Sequence, residues 1–356
     1  MIDDTTTLGE LDEEHILAEL LPVLTRHTSA TVRVGVGDDA AVLAAHVSVV
    51  ATTDTMVKGV DWRDDWSLPQ EVGRKLVAQN VSDLAAMGAR PTGLLLTVAS
   101  EPNLPLRWLL QLGEGVSAAA AEAGTVVVGG DVSAAPGGVV LLGMTAIGDL
   151  EGRAPVTRAG ARPGDVVAVR GSLGRSGAGL RLLGQGAARE EMTGAAAQLV
   201  ADHCAPRPPW EAGAEAAAAG ATSMIDLSDG LVRDASRVAR ASDVRLDLES
   251  DLLAVQVAAL AEVVGEEAAW ADVLGGGEEH SLLATFGPTA RPPHGWLAIG
   301  AVAAAHDAES PVTLDGQRVE VTGWDHFDRS TAGREGVAGP RALPGTTKGR
   351  SETDRP

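Results

Sequence analysis

Val49-Val50-Ala51-Thr52-Thr53-Asp54 is an apolar, β-branched run that gives out on an aspartate, and the pattern returns in Val126-Val127-Val128-Gly129-Gly130-Asp131 and in Met224-Ile225-Asp226. Branched side chains sit well on a pleated strand and poorly in a helix, so each run reads as a strand with an acid where it ends. Carboxylates at the ends of several strands can converge on one crevice. Working outward, Gln70 to Met87, Trp108 to Ala123, Gly174 to Leu183, Trp210 to Ala219 and Leu231 to Ala241 have helical spacing. Leu94 to Val98, Val139 to Ile147, Val166 to Val169, Leu282 to Phe286 and Leu297 to Ala301 supply further strands. This alternation makes the chain α/β or α+β.

With 356 residues, 45% of them hydrophobic and 22% charged, the chain is globular and long enough for two cores. Gly148 to Ala154 is turn-like, and Arg162-Pro163-Gly164-Asp165 precedes a new strand, so a boundary is expected near residue 150. That gives domains at 11–150 and 151–327, with residues 1–10 and 328–356 expected to be disordered for want of apolar periodicity. A net charge of −21 without a basic cluster argues against nucleic acid and anionic membrane surfaces as partners. No apolar stretch approaches the roughly 20 residues of a membrane span. The acidic start, with Asp3, Asp4 and Glu10, is the reverse of a signal peptide, so a cytoplasmic protein is expected. Cys204 is the only cysteine, which excludes an internal disulfide and a thiolate cluster.

Four more acids join the three at strand ends. Asp38 and Asp39 follow Gly35-Val36-Gly37, Asp229 follows Asp226 by three residues, and Asp83 shares a helix face with Leu76, Asn80 and Met87. Magnesium takes carboxylates together with phosphate oxygens and water, and these seven suit it. Each alone could instead cap a helix or close a turn. Asp83 is the exception, because a carboxylate on a packed helix face is costly unless a cation meets it. Gly129-Gly130 would let a phosphate come close to the backbone. Gly171 to Gly177 reads more readily as a strand-to-helix turn than as a phosphate cradle, and Arg158 is either a phosphate fork or a solvated loop residue. There is no Walker-type loop and no protein-kinase signature. The eight histidines lack metal-ligand spacing.

Eight segments in order carry a resemblance that spans Leu11 to Phe327: Gly35 to Ala40, Thr52 to Val57, Asn80 to Ala89, Gly129 to Asp131, Thr157 to Asp165, Ile225 to Leu231, Gly275 to Glu278 and Gly323 to Phe327. In these the chain resembles the thiamine-monophosphate kinase family, of the superfamily that includes aminoimidazole ribonucleotide synthetase. The resemblance implies a two-domain fold, with an N-terminal sheet that joins a partner's in a homodimer and a C-terminal α/β domain. It implies ATP and several Mg²⁺ ions in the cleft, and direct in-line transfer to thiamine monophosphate. It places Asp39, Thr53, Asp54, Asp83, Asp131, Asp226 and Asp229 at metal positions, and Gly130, Asp131, Arg158 and Ser228 at the nucleotide. Asp54, Asp83, Asp131 and Arg158 would serve catalysis, and Asp61, Glu278 and Trp324 would meet the thiamine moiety. Two positions depart from the family: Asp61 stands where a His is usual, and Glu279-His280-Ser281 replaces Asp-Tyr-Glu. Another ATP-dependent synthetase of the superfamily, or a non-catalytic nucleotide- or thiamine-binding relative, are the alternatives.

Overall fold

The computed structural model describes residues 5–11, 13–34, 41–46, 48–186, 188–305 and 310–319. In chain order these form α1 (Glu13–Leu24), β1 (Val32–Val34), β2 (Val42–Leu43), β3 (Val49–Val57), α2 (Pro69–Ala86), β4 (Arg90–Ser100), α3 (Leu106–Glu122), β5 (Val127–Ala134) and β6 (Val140–Asp149). There follow β7 (Val166–Arg170), α4 (Arg175–Gly184), α5 (Gly194–Cys204), α6 (Glu211–Ala218), β8 (Ala221–Leu227), α7 (Leu231–Ser242) and β9 (Val244–Leu248). The series ends with α8 (Ser250–Val264), α9 (Glu266–Gly275), β10 (Ser281–Phe286), β11 (Leu297–Ala304), β12 (Val312–Leu314) and β13 (Gln317–Arg318). Asp38, Asp39 and Trp324, together with the expected tail 328–356, lie outside the described residues.

The strands make two main sheets, one ordered β3-β6-β4-β5 and the other β13-β12-β9-β11-β7-β10-β8. In the first sheet α3 crosses from β4 to its parallel neighbour β5, and α2 and α3 cover one face. Leu76, Val77, Leu109 and Leu112 from the helices meet Leu94, Leu96, Leu142 and Met144 from the strands in one buried cluster. The second sheet packs its apolar residues against α7, α8 and α9, with Leu246, Ile299, Leu231, Leu253 and Val273 at the centre. None of the described helices is long and apolar enough to cross a membrane.

Two expectations change. Asp54 and Asp131 do not end their strands, since β3 runs on to Val57 and β5 to Ala134. Both lie on edge strands, where one side of the backbone is left without a strand partner and a polar residue is tolerated. The beginning of the chain is also ordered from Thr5. Leu8–Glu10 form a 3₁₀ turn whose Leu8 side chain is buried, Thr7 bridges to Pro105, and Glu10 accepts from the Thr7 N–H at 2.8 Å. One apolar anchor and a capping box were enough to hold a segment too short to show periodicity.

α2 is the element on which the two halves meet. Its first half packs on α3, and its end, at Ala85 and Ala86, joins a small-residue cluster with Ala212 and Ala216 of α6, Met224 of β8 and Leu282 of β10. Small side chains let these backbones approach closely. A Cβ added at Gly213 of α6 would lie 2.0 Å from the Ala85 carbonyl oxygen. Ala is worth about 1 kcal/mol more than Gly in an exposed helix, but overpacking costs roughly 1–3 kcal/mol. Steric exclusion therefore decides the sign. Gly213→Ala is expected to lower the thermal midpoint, whereas Gly137→Ala, where an added Cβ has open space, leaves it unchanged; calorimetry of the two variants checks this.

Candidate functional site

The C-terminal half of α2 lies between β3, an edge strand of the first sheet, and β8, an edge strand of the second. Alternation along β3 turns Thr52, Asp54 and the buried Met56 toward α2. Asp83 projects from α2 and accepts a 2.7 Å hydrogen bond from the Thr52 hydroxyl. Asn80, one turn earlier, accepts from the Asp54 N–H at 3.0 Å and donates to the Leu76 carbonyl at 2.9 Å. The open edge of β3 is thereby satisfied by a side chain rather than by another strand.

From the second sheet, Asp226 on β8 approaches the same point. Its carboxylate is buried and lies 3.3 Å from Nδ1 of the buried His280. Burial, reinforced first by Asp226 and then by Asp54, pushes the Asp83 carboxyl from 3.8 up to about 7, although Thr52 opposes the shift. His280 is drawn down by its burial, but the hydrogen bond and charge of Asp226 outweigh this and hold its pKa above the ordinary value. Three acidic groups thus act on one another, Asp226 buried and Asp54 and Asp83 half-buried.

A second acidic group adjoins the first. Asp234 is completely buried, and burial followed by the charge of Asp226 pushes it up to about 7. It accepts from the Asp229 N–H at 2.9 Å, while Arg237 donates to both Asp234 and Asp229 at 2.5 Å. The Asp229 carboxylate is therefore already engaged by a guanidinium. Ser228, beside it, accepts from the Glu278 N–H at 2.7 Å through its carbonyl.

At the other end of α2, Lys75 donates to Oε2 of Glu278 at 2.7 Å and to the Asp61 carbonyl at 3.2 Å. The Asp61 carboxylate accepts from the Val57 N–H at 2.6 Å and closes the turn after β3. Asp61 and Glu278, from distant parts of the chain, are thus joined by one ammonium. Burial would raise the Glu278 carboxyl, but Lys75, together with His203 and His280, outweighs it and keeps the group below the usual range. Glu279 does something different. It accepts from the Ser176 N–H and the Ser172 hydroxyl, both at 2.7 Å, so a carboxylate of the chain itself sits at the start of α4. The turn at Gly171 to Gly177 is filled from within, as an ordinary strand-to-helix turn would be.

Thr53 and Asp131 stand apart from this group. Register places Asp54, Met144, Leu96 and Gly130 in one row across the first sheet, and Thr55, Gly143, Thr97 and Asp131 in the next. Asp131 and Thr53 therefore face away from α2, Asp131 accepting from Ser133 at 2.7 Å and Thr53 donating to the Met144 carbonyl at 2.9 Å. Asp54 and Asp131 lie on opposite edges, three strand spacings or about 14 Å apart. The open face carries a groove of about 710 Å³ under α1, lined by Leu20, Leu24, Leu95, Ile147 and, at its polar end, Thr97 and Asp131. Gly130 has a local reason to be glycine: an added Cβ would lie 1.9 Å from the Leu96 carbonyl oxygen. Arg158 is exposed on a segment pinned along β8, where the Met224 N–H donates to the Thr157 carbonyl at 3.1 Å.

Lys75, Asn80, His280 and Asp234 were not singled out as site residues from the sequence. Lys75 carried a usable signal, since it and Ser82 are seven residues apart on one helical stripe among apolar neighbours. His280 was visible only as a departure, and nothing local to Asp234 distinguishes it from a first-turn helix acid.

A raised acid pKa makes a stability prediction. The folded state holds the Asp83 proton that the unfolded chain releases near 3.8, so this contribution is present below that pH and is lost as pH rises through about 7. Asp83→Asn, which mimics the protonated form, is expected to raise the thermal midpoint of ion-free protein at pH 8 by several degrees and by much less at pH 5. An equal gain at both pH values would show that Asp83 is not under this repulsion.

Comparison with known proteins agrees with the architecture. Residues 37–150 match the N-terminal domain model of AIR synthase related proteins, and residues 162–274 match the C-terminal domain model. Thiamine-monophosphate kinase of Mycobacterium tuberculosis is 42% identical over 330 residues, covering 91% of this chain and 94% of the relative. The crystal structure of thiamine-monophosphate kinase from Stenotrophomonas maltophilia is 30% identical, with a TM-score of 0.74, and covers 86% of this chain and 96% of its own. AaThiL complexed with AMPPCP and TMP is 31% identical, with a TM-score of 0.72, and covers 91% of this chain and 100% of its own.

Proposed function

The chain belongs to the thiamine-monophosphate kinase family of AIR synthase related proteins, and we propose that it transfers the γ-phosphoryl group of ATP to thiamine monophosphate, giving thiamine diphosphate. The observation that carries this reading is the convergence of Asp54, Asp83 and Asp226 at the junction of the two sheets, with Asp83 pushed up to about 7 by burial and its acidic neighbours. Such a group calls for a cation. Hard oxygen donors on a carboxylate-rich wall fit Mg²⁺, which is held by one or two carboxylates, with phosphate oxygens and water completing its shell. Among the described residues no three potential ligands stand close enough to enclose a bare ion.

Asp54, Asp83 and Asp226 are the residues that would hold Mg²⁺, and the ion when bound would neutralise the two phosphates that must meet. The chain's own groups do the remaining work. Thr52 and Asn80 orient Asp83 and the Asp54 backbone, and His280 orients Asp226. The acceptor phosphate needs no protein nucleophile, because its second pKa near 6 leaves it largely ionised at neutral pH. Catalysis then consists of positioning and charge neutralisation. Arg158, exposed beside β8, is proposed to reach the transferring group, and Ser228 the nucleotide. Gly130 and Asp131 lie across the width of the first sheet, with Asp131 on the face away from α2, so their place at the nucleotide is a proposal from the family resemblance alone. Asp229 would enter a metal shell by exchanging its bond to Arg237. Asp39, Trp324 and a role for Thr53 remain proposals from the family resemblance. The same is true of the division of the chain near residue 150 and of a homodimer in which the N-terminal sheet joins a partner's. A cytoplasmic location is proposed with them.

Incubation with ATP, thiamine monophosphate and Mg²⁺, followed by chromatography, should yield thiamine diphosphate, and chelation of divalent ions should stop it. Asp54→Asn and Asp226→Asn should each reduce kcat/KM by at least about a hundredfold while leaving the thermal midpoint of ion-free protein unchanged or higher. Wild-type turnover that persists after exhaustive chelation would overturn the metal assignment.

A further inference from the structure

Lys75 is 2% exposed, which is rare for an ammonium unless it is paired. Its two partners belong to different parts of the fold: Glu278 lies on the loop before β10 in the second sheet, and Asp61 on the turn after β3 in the first. Glu278 is held as though for display. Its φ of +61° is uncommon for a residue other than glycine, yet its N–H is fixed to the Ser228 carbonyl and its side chain keeps 34% of its surface exposed. Backbone strain of this kind persists only when the surroundings over-determine it, and it clusters at ligand sites. His203, 3.4 Å from the same carboxylate oxygen, is neutral at physiological pH, because burial and then Lys75 push it down to about 3. Lys75, at 2.7 Å, is the cation hydrogen-bonded to the Glu278 carboxylate.

We propose that Lys75 is a positioning residue for the acceptor: by tying the Glu278 carboxylate to the Asp61 carbonyl, it fixes the spacing of the two segments that flank the thiamine moiety. The inference rests on the thiamine-phosphate reading above. α2 gives it a second consequence. Lys75 and Asp83 are eight residues apart on one rigid helix, about 12 Å along its axis, so the ammonium also sets the acceptor wall at a constant distance from the carboxylates that would gather the phosphates. A cross-link that served only to hold the two halves together would affect both substrates alike.

Steady-state kinetics on the full chain separates these roles. Lys75→Met should raise the KM for thiamine monophosphate about ten-fold or more, as expected for loss of a charge-assisted hydrogen bond, and change the KM for ATP by less than about twofold. Glu278→Gln should behave in the same way, and the double variant should be no worse than the poorer single one, because both remove one interaction. If Lys75→Met does not fold, Lys75→Gln and Lys75→Arg carry the same comparison, with Lys75→Arg the less impaired. Equal rises in both KM values, a fall in kcat alone, or additive effects in the double variant would overturn the proposal. Absence of thiamine diphosphate from the wild-type reaction would instead remove the functional reading itself, and the acceptor role of Lys75 with it.

Discussion

Like charges brought together away from water repel strongly, and a fold that assembles them must supply a compensating cation or keep one of the acids protonated. That constraint organises this molecule. Asp54, Asp83 and Asp226 come from a strand, a helix and a second sheet, and burial together with the charges of Asp226 and Asp54 pushes the Asp83 carboxyl up to about 7. The free chain carries this repulsion as a cost in stability, which fits a site completed by something bound. Such a cost is common where function sets the arrangement of charge.

α2 translates the constraint into geometry. It is buried along most of its length and is gripped by α3 on one side and by the alanine-rich contact with α6 on the other. Small residues are essential there, because the Ala85 backbone and Gly213 approach so closely that a single methyl group would collide. The helix presents Lys75 at one end and Asp83 at the other, so it offers a cation and an anion at a constant separation. The loop 278–280 runs beside it, with Glu278 on Lys75, the His280 carbonyl within 3.5 Å of the Ser82 hydroxyl, and the His280 ring on Asp226. Asp61 and Glu279-His280-Ser281 both fall along this seam. Their effects differ. Asp61 closes its own turn with its carboxylate and offers only a carbonyl to Lys75, whereas Glu279 anchors the start of α4 and His280 reaches the acidic centre.

Much of the fold could be read locally. Gln70 to Met87 and Leu231 to Ala241 come within a residue or so of α2 and α7, the strand runs at 94–98 and 282–286 sit inside observed strands, and the run at 139–147 starts one residue before β6. α8 and α9 are not among the helices expected from the sequence. Reading Asp54 and Asp131 as strand ends misjudged edge strands, which continue past a polar residue because one of their sides needs no strand partner.

The sequence by itself determined the family, the alternation of strands and helices, and the acids able to hold a divalent ion, since ordered motifs and residue chemistry are local properties of the chain. Only the tertiary structure decided which of those acids meet. Asp54, Asp83 and Asp226 converge because α2 is wedged between two edge strands, whereas Asp131 is turned to the other face of the sheet by a strand alternation that no spacing in the sequence reveals. Burial was decided there too, and with it the pairing of Lys75 with Glu278 across 203 positions of chain, because desolvation depends on what packs around a group and not on its neighbours in sequence.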